Sequence, residues 1–89
     1  MLRKVITINN RLGLHARASM KWVKMARCFI SDITLRCNGK QVDGKSILEV
    51  MGLTACQGSP VEVIVKGEDE AAALNVLEKL VTDRFGEEK

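Results

Sequence analysis

The chain has 89 residues, of which 46% are hydrophobic and 28% are charged, and its formal net charge is +3. This length suits one small domain over residues 1–89, and the composition is that of a soluble globular protein. The mildly basic balance does not by itself indicate nucleic-acid binding, and no apolar run approaches the roughly 20 residues of a membrane-spanning helix.

A strand and a helix are predicted first. β-branched residues over Leu2–Ile8 predict a strand, and Gly13 interrupts the strand-like pattern that precedes it. From Ala16 to about Arg27 the apolar residues fall at helical spacing. The predicted inner face of this helix comprises Ala18, Trp22, Met25, Ala26 and Phe29.

A hairpin and a short helix are predicted next. Apolar and polar residues alternate over Ile33–Cys37, and Asn38-Gly39 is a strong turn signal before a return strand at 40–42. Ser46–Glu49 reads as a capping box, in which the serine hydroxyl and the glutamate carboxylate each accept from the other's backbone N–H. The following helix is expected to stop at Gly52.

The last strand and helix complete the pattern. Val61–Lys66 alternates cleanly, with three valines on one face, and Glu68–Glu70 places negative charge at the start of a helix. The predicted inner face of that helix comprises Ala73, Leu77, Leu80 and Val81. Residues 87–89, after Gly86, are expected to fray. The order β-α-β-β-α-β-α predicts an α+β fold with the helices on one face of a small antiparallel sheet.

The stretch Asn10–Ser19 contains the only histidine of the chain. His15 is predicted at a helix N-terminus, where unpaired backbone N–H groups favour an anion, phosphate above all. The same field disfavours a protonated imidazole, and Arg17 adds a cation whose planar shape matches phosphate oxygens. We therefore predict a phosphoryl-accepting histidine, stabilised by Arg17 and by the backbone of Ala16, Arg17 and Ala18. The short motif alone fits a helix-capping histidine equally well.

Two motifs resemble those of a known family. Leu12–Arg17 (Leu-Gly-Leu-His-Ala-Arg) is similar to the active-site signature of HPr, the histidine-containing phosphocarrier of the bacterial phosphotransferase system. Asp43–Leu48, then Gly52-Leu53 and Gln57-Gly58, resembles its second signature at matching spacing. The resemblance covers essentially the whole chain and implies an open-faced β-sandwich, a four-stranded antiparallel sheet with three helices on one face. The chain departs from the family at Ala18, where proline is usual.

The resemblance implies a function. His15 is phosphorylated on Nδ1 by Enzyme I, which is charged from phosphoenolpyruvate, and passes the group to EIIA-type acceptors, while Arg17 stabilises the phosphate. The protein is then a carrier more than a stand-alone enzyme, expected to be monomeric and to need no cofactor or metal. The alternative is a regulatory relative of the nitrogen branch, resembling NPr, that acts mainly by binding proteins. Ala18 leaves this alternative open.

Two further surfaces are candidates for binding partner proteins. A basic stripe runs along the first helix from Arg17, and apolar residues crowd the short helix. The candidate docking residues are Lys21, Lys24, Arg27, Ile47, Leu48 and Met51. The alternatives are an ordinary solvated face for the stripe and a cover over the core for the apolar residues.

Ser46 is a second candidate modification site. In some relatives the matching serine is phosphorylated by an HPr kinase/phosphorylase, and a phosphate here would add charge beside the apolar residues. The alternative is that Ser46 is only a helix cap, worth about 1 kcal/mol.

Other classes of function fit less well. Nucleic-acid binding is disfavoured because the chain has few side chains that could stack on bases. Its only aromatic residues of this kind are Trp22, Phe29 and Phe85. A hydrolase lacks an evident carboxylate to orient His15.

The cysteines bear on the compartment. Cys28, Cys37 and Cys56 form no C-x-x-C pair and no zinc pattern. We expect them to be reduced packing residues of a cytoplasmic protein, since their number is odd and no signal peptide is evident.

Overall fold

The elements of the protein follow the predicted order. The computed structural model describes residues 1–88. Its strands and helices are β1 (Leu2–Thr7), α1 (Ala16–Ala26), β2 (Asp32–Cys37), β3 (Lys40–Asp43), α2 (Ile47–Gly52), β4 (Pro60–Lys66) and α3 (Glu70–Thr82). A 3-10 turn at Arg84–Gly86 follows α3. The observed ends lie close to the predicted ones; β1, for example, ends at Thr7 and not at Ile8.

The four strands form one antiparallel sheet in the order β1-β4-β2-β3. β4 is a central strand, and its Val61, Val63 and Val65 are all buried, as their alternation predicted. Asn38 and Gly39 join β2 to β3 with positive φ angles of 53° and 77°, the turn that matches strand twist. The predicted α+β open-faced sandwich is confirmed.

The core lies between the sheet and the three helices. α1 buries Ala18, Trp22 and Ala26, whereas Met25 and Phe29 are only partly buried at its edge. α3 buries three of its four predicted inner residues and leaves Leu80 partly exposed. The indole N–H of Trp22 donates to the Gly44 carbonyl at 3.1 Å, so the one polar atom of this ring is satisfied.

The predicted capping box of α2 is half correct. The Ser46 hydroxyl accepts from the Glu49 N–H at a long 3.4 Å, as expected. The Glu49 carboxylate, however, accepts from the N–H of Asp43 at 3.2 Å, because the Ser46 N–H already donates to the Asp43 carbonyl. α2 does end at Gly52, but the left-handed residue beyond it is Thr54, with φ 52°.

Asp69 links α3 to the loop before β2. It is the N-cap residue of α3, yet its carboxylate does not cap that helix. It accepts instead from the N–H groups of Ile30 and Ser31, each at 3.0 Å, and from the Ser31 hydroxyl at 2.5 Å. The Ser31 hydroxyl, together with these N–H groups, holds the pKa of the Asp69 carboxyl below its usual value.

The three cysteines are free thiols in different environments. Cys37 is buried, as a packing residue should be, and burial, with a smaller contribution from Cys56, raises the pKa of its thiol. The packing role is wrong for Cys28 and Cys56, which are exposed on turns.

The helices of the described chain lack the combined length and apolar character that crossing a bilayer requires.

Candidate functional site

The loop between β1 and α1 depends on a glycine. Gly13 has φ +65°, and a Cβ atom there would collide with the Ala55 carbonyl oxygen and come within 2.9 Å of the Cys56 Cα. The loop is held at this close approach by the Leu14 N–H, which donates to the Ala55 carbonyl at 2.9 Å. Only glycine fits both the conformation and the space. This packing fixes the backbone that carries the next residue, His15.

His15 is the N-cap of α1, so its predicted position is confirmed. Its backbone is extended (φ −70°, ψ 178°), and its carbonyl accepts the first helical bond, from the Ser19 N–H at 2.9 Å. Its ring Nδ1 accepts from the Arg17 N–H at 3.2 Å. Nδ1 therefore faces the unpaired N–H groups of the helix terminus, where an anion is favoured.

A carboxylate from the end of the chain contacts the other ring nitrogen. Glu87 Oε2 lies 2.5 Å from His15 Nε2, and Glu87 Oε1 accepts from the Asn10 amide at 3.0 Å. The expectation that residues 87–89 fray is therefore wrong for Glu87, while Lys89 lies outside the described residues. The expectation that His15 has no orienting carboxylate is wrong as well.

The ionisation of Glu87 follows from its surroundings. Burial alone would raise the pKa of its carboxyl, but the hydrogen bonds from Asn10 and His15, together with the positive charge of Lys21, outweigh it. The net effect places the pKa of Glu87 below its usual value, so the group is a carboxylate at neutral pH.

The contacts of His15 define which ring nitrogen carries the proton. Nδ1 accepts from an N–H donor, so it holds a lone pair in this arrangement. Nε2 faces a carboxylate, so it carries the hydrogen. Both contacts are satisfied by a single neutral tautomer.

The site is open to solvent on one side. A surface cleft beside His15 is lined by charged residues of both signs and by the exposed apolar residues Leu12 and Met20. The charged residues are Arg11, Arg17, Glu87 and Glu88. Within residues 1–88, the Arg17 guanidinium forms no hydrogen bond or ion pair, so it is available to a phosphate in the cleft.

A second cleft continues from the first, between α1 and α2. The two share Arg17 and Met20, and the second adds the remaining basic residues of α1 and one residue of α2. It is lined by Arg17, Met20, Lys21, Val23, Lys24, Arg27 and Ile47. Lys21 donates to the Phe85 carbonyl at 2.6 Å and Arg27 to the Lys45 carbonyl at 3.0 Å. Because both acceptors are neutral, the cleft keeps its positive charge.

The apolar candidates on α2 differ in exposure. Leu48 is 82% exposed and Met51 is 36% exposed, as expected of a contact surface. Ile47 is partly buried and packs against the core, so it also serves the fold. Their part in docking stays a prediction.

No group of three or more histidine, cysteine, aspartate or glutamate side chains within residues 1–88 is arranged to hold a metal ion.

Comparison with known proteins gives consistent matches over nearly the whole chain. The family model described as "PTS HPr component phosphorylation site" matches residues 2–83. The phosphocarrier protein HPr of Cupriavidus necator is 48% identical over 87 residues, which cover 98% of each chain. HPr-C-His from Thermoanaerobacter tengcongensis has a TM-score of 0.96 at 38% identity, with 100% of both chains covered. An HPr dimer from the same organism has a TM-score of 0.78 at 38% identity, covering 98% of this chain and 100% of that one.

Proposed function

The chain belongs to the HPr family of phosphocarriers of the phosphotransferase system, and on that basis we propose His15 Nδ1 as its phosphoryl acceptor. The observation that carries this assignment is the position of Nδ1, an unprotonated nitrogen aimed at the N–H groups of the α1 terminus. With one histidine in the sequence, no other imidazole can take the group.

The site accounts for a reversible transfer. The Nδ1 lone pair attacks the phosphorus of a phosphohistidine donor, and the donor's P–N bond breaks with its electron pair remaining on the donor nitrogen. Once Nδ1 is bonded to phosphorus it can no longer accept from Arg17, so that N–H turns to the phosphoryl oxygens, together with those of Ala16 and Ala18. The Arg17 guanidinium offsets the added negative charge.

The family implies Enzyme I and EIIA as partners. The basic cleft along α1 and the exposed apolar residues beside it suit docking of an acidic surface with an apolar centre. This assigns contact roles to Lys21, Lys24, Arg27, Ile47, Leu48 and Met51. Four of these residues, Lys21, Lys24, Arg27 and Ile47, line the cleft that adjoins the one beside His15, so donor and acceptor would dock in turn.

The remaining expectations form part of the same proposal. The chain acts as a single phosphocarrier domain and as a monomer, because each docking event needs the His15 face open. The expected cytoplasmic location rests on the odd number of free cysteines. Ser46, half-buried at the N-cap of α2, is the residue that an HPr kinase/phosphorylase would modify.

The regulatory alternative rested on Ala18. This residue is completely buried within α1, and the cap of the helix is complete with alanine in this position. Alanine, unlike proline, also has a backbone N–H, which adds a donor at the helix terminus where the phosphoryl group would bind, and this favours the carrier.

The test is intact mass after incubation with phosphoenolpyruvate and Enzyme I, with an acid-treated duplicate. We expect one phosphoryl group that acid removes, and none in a folded His15→Ala variant. A phosphoryl group that remains on His15→Ala, or none on the folded natural chain, would overturn the proposal.

A further inference from the structure

The Glu87 carboxylate is placed where it controls the chemistry of His15. Its Oε2 atom faces Nε2, the ring nitrogen opposite the proposed acceptor. We propose that Glu87 is a positioning residue, which retains the proton on Nε2 and so keeps the lone pair of Nδ1 free for phosphoryl transfer. This inference rests on the proposed function of His15.

The ring is held at two points. The Arg17 N–H fixes Nδ1 at 3.2 Å and Glu87 fixes Nε2 at 2.5 Å, on opposite sides of the imidazole. A single contact would leave the ring free to flip about χ2 and exchange its nitrogens. Two contacts of opposite polarity, one a donor and one an acceptor, allow only the orientation with Nδ1 towards the helix.

The carboxylate is itself held in place. Asn10, which is completely buried, donates to Glu87 at 3.0 Å and to the Gly13 carbonyl at 2.8 Å. Its Oδ1 is buried and accepts no hydrogen bond from the residues that the structure describes. A buried amide oxygen without a partner is energetically unfavourable. The two hydrogen bonds that Asn10 donates therefore indicate that this side chain serves to orient Glu87 and the loop at Gly13.

The C-terminal chain is built to deliver Glu87. Arg84 and Phe85 both adopt positive φ angles, 56° and 55°, which are costly for such residues. The strain is compensated because Phe85 is buried, at 1% exposure, and its carbonyl accepts from Lys21 at 2.6 Å. The turn reverses the chain after α3 and brings Glu87 back over the start of α1.

The same contact stabilises the product. When Nδ1 forms its bond to phosphorus the ring acquires positive charge, while the hydrogen on Nε2 stays in place. A carboxylate within hydrogen-bond distance of that N–H lowers the energy of the charged ring. The cleft beside the ring also contains Arg11, Arg17 and Glu88, and Glu87 is the anion that contacts this nitrogen.

The experiment compares Glu87→Gln with Glu68→Gln in the full chain. The two variants remove the same charge, and Glu68 is exposed just before α3, away from the cleft beside His15, with no side-chain hydrogen bond or ion pair within residues 1–88. The first readout is the imidazole ¹H–¹⁵N spectrum. We expect a protected Nε2–H signal in the natural chain and in Glu68→Gln, and faster exchange of this hydrogen in Glu87→Gln, where a neutral amide replaces the carboxylate.

The second readout is phosphorylation by Enzyme I under saturating phosphoenolpyruvate. Replacing the charged acceptor by a neutral amide predicts that Glu87→Gln lowers kcat about tenfold with KM unchanged, while Glu68→Gln matches the natural chain. An unprotected Nε2–H in the natural chain, an unaltered kcat, or a change in KM alone would each overturn the inference. If the natural chain takes no phosphoryl group, the proposed function fails instead.

Discussion

At the scale of single residues, Arg17 divides its backbone and side chain between two tasks. Its backbone N–H donates to Nδ1 of His15. Its guanidinium borders the cleft and forms no hydrogen bond or ion pair within residues 1–88. We expect Arg17→Glu to slow phosphorylation by Enzyme I about 100-fold, since a charge that stabilises the transferring group is reversed while Nδ1 is kept. Arg3→Glu makes the same charge change on an exposed strand residue and should leave the rate unchanged. Equal rates for both variants would remove Arg17 from the mechanism.

Asp69 predicts how the stability of the protein depends on pH. Its pKa is lowered in the fold, chiefly by the Ser31 hydroxyl, so its charged form stabilises the fold above the unfolded pKa of about 3.9. That contribution is lost as pH falls through the lower folded pKa. Asp69→Asn should therefore lower the urea midpoint at pH 7, and the difference from the natural chain should shrink below about pH 4.

The control for this comparison is Asp32→Asn, an exposed carboxylate with no side-chain hydrogen bond among residues 1–88. It should shift the midpoint little at any pH. A constant difference for Asp69→Asn across the whole range would mean that the amide loses packing and not charge.

At the scale of elements, the loop before α1 requires glycine at position 13, because Gly13 has a positive φ angle and lies close to the Ala55 backbone. Gly13→Ala should destabilise the fold by about 2–4 kcal/mol, because the methyl group meets the Ala55 backbone as well as requiring positive φ. Gly39→Ala tests conformation alone, since Gly39 has φ +77° with nothing within 4 Å. Thermal melts should show the larger loss at Gly13, and equal losses would mean that the clash is relieved by small shifts.

α2 provides a prediction about charge at its N-terminus. Ser46→Asp should keep the helix, because aspartate is also a good N-cap, but weaken binding to an acidic partner by repulsion. Ser46→Asn caps equally well without charge and is the matched control. Circular dichroism should be unchanged in both, and calorimetric titration with Enzyme I should show weaker binding for the aspartate only. Equal affinities would place the docking surface elsewhere.

Much of the element scale could be predicted from local sequence. Asn38-Gly39, the valines of β4 and the position of His15 follow from rules that act within a few residues. The failures involve distant partners. The Asp69 carboxylate accepts hydrogen bonds from Ile30 and Ser31, which lie 39 and 38 positions earlier in the chain. The local sequence of α3 gives no sign of these partners. Glu87 reaches His15 across 72 positions, and the only local sign was an aromatic residue, Phe85, after the last helix.

At the scale of the whole molecule, the oligomeric state bears on how the His15 face works. β1 and β3 are the edge strands of the sheet, and each is a possible template for a second copy. We expect sedimentation to show a monomer across micromolar concentrations, since the docking side must stay open. A dimer that still accepts phosphoryl groups would show that pairing uses another surface.

The buried indole described above makes this protein a single-reporter system for fluorescence. The chain has one tryptophan and no tyrosine, so its ultraviolet emission comes almost entirely from Trp22. That ring belongs to the helix that starts at His15, while its N–H is bonded to the Gly44 carbonyl just before α2. Intrinsic emission therefore reports on the junction between α1 and the segment before α2 without any attached dye. A shift in the emission wavelength when a partner binds would show that this junction opens. The same emission can be used to follow unfolding.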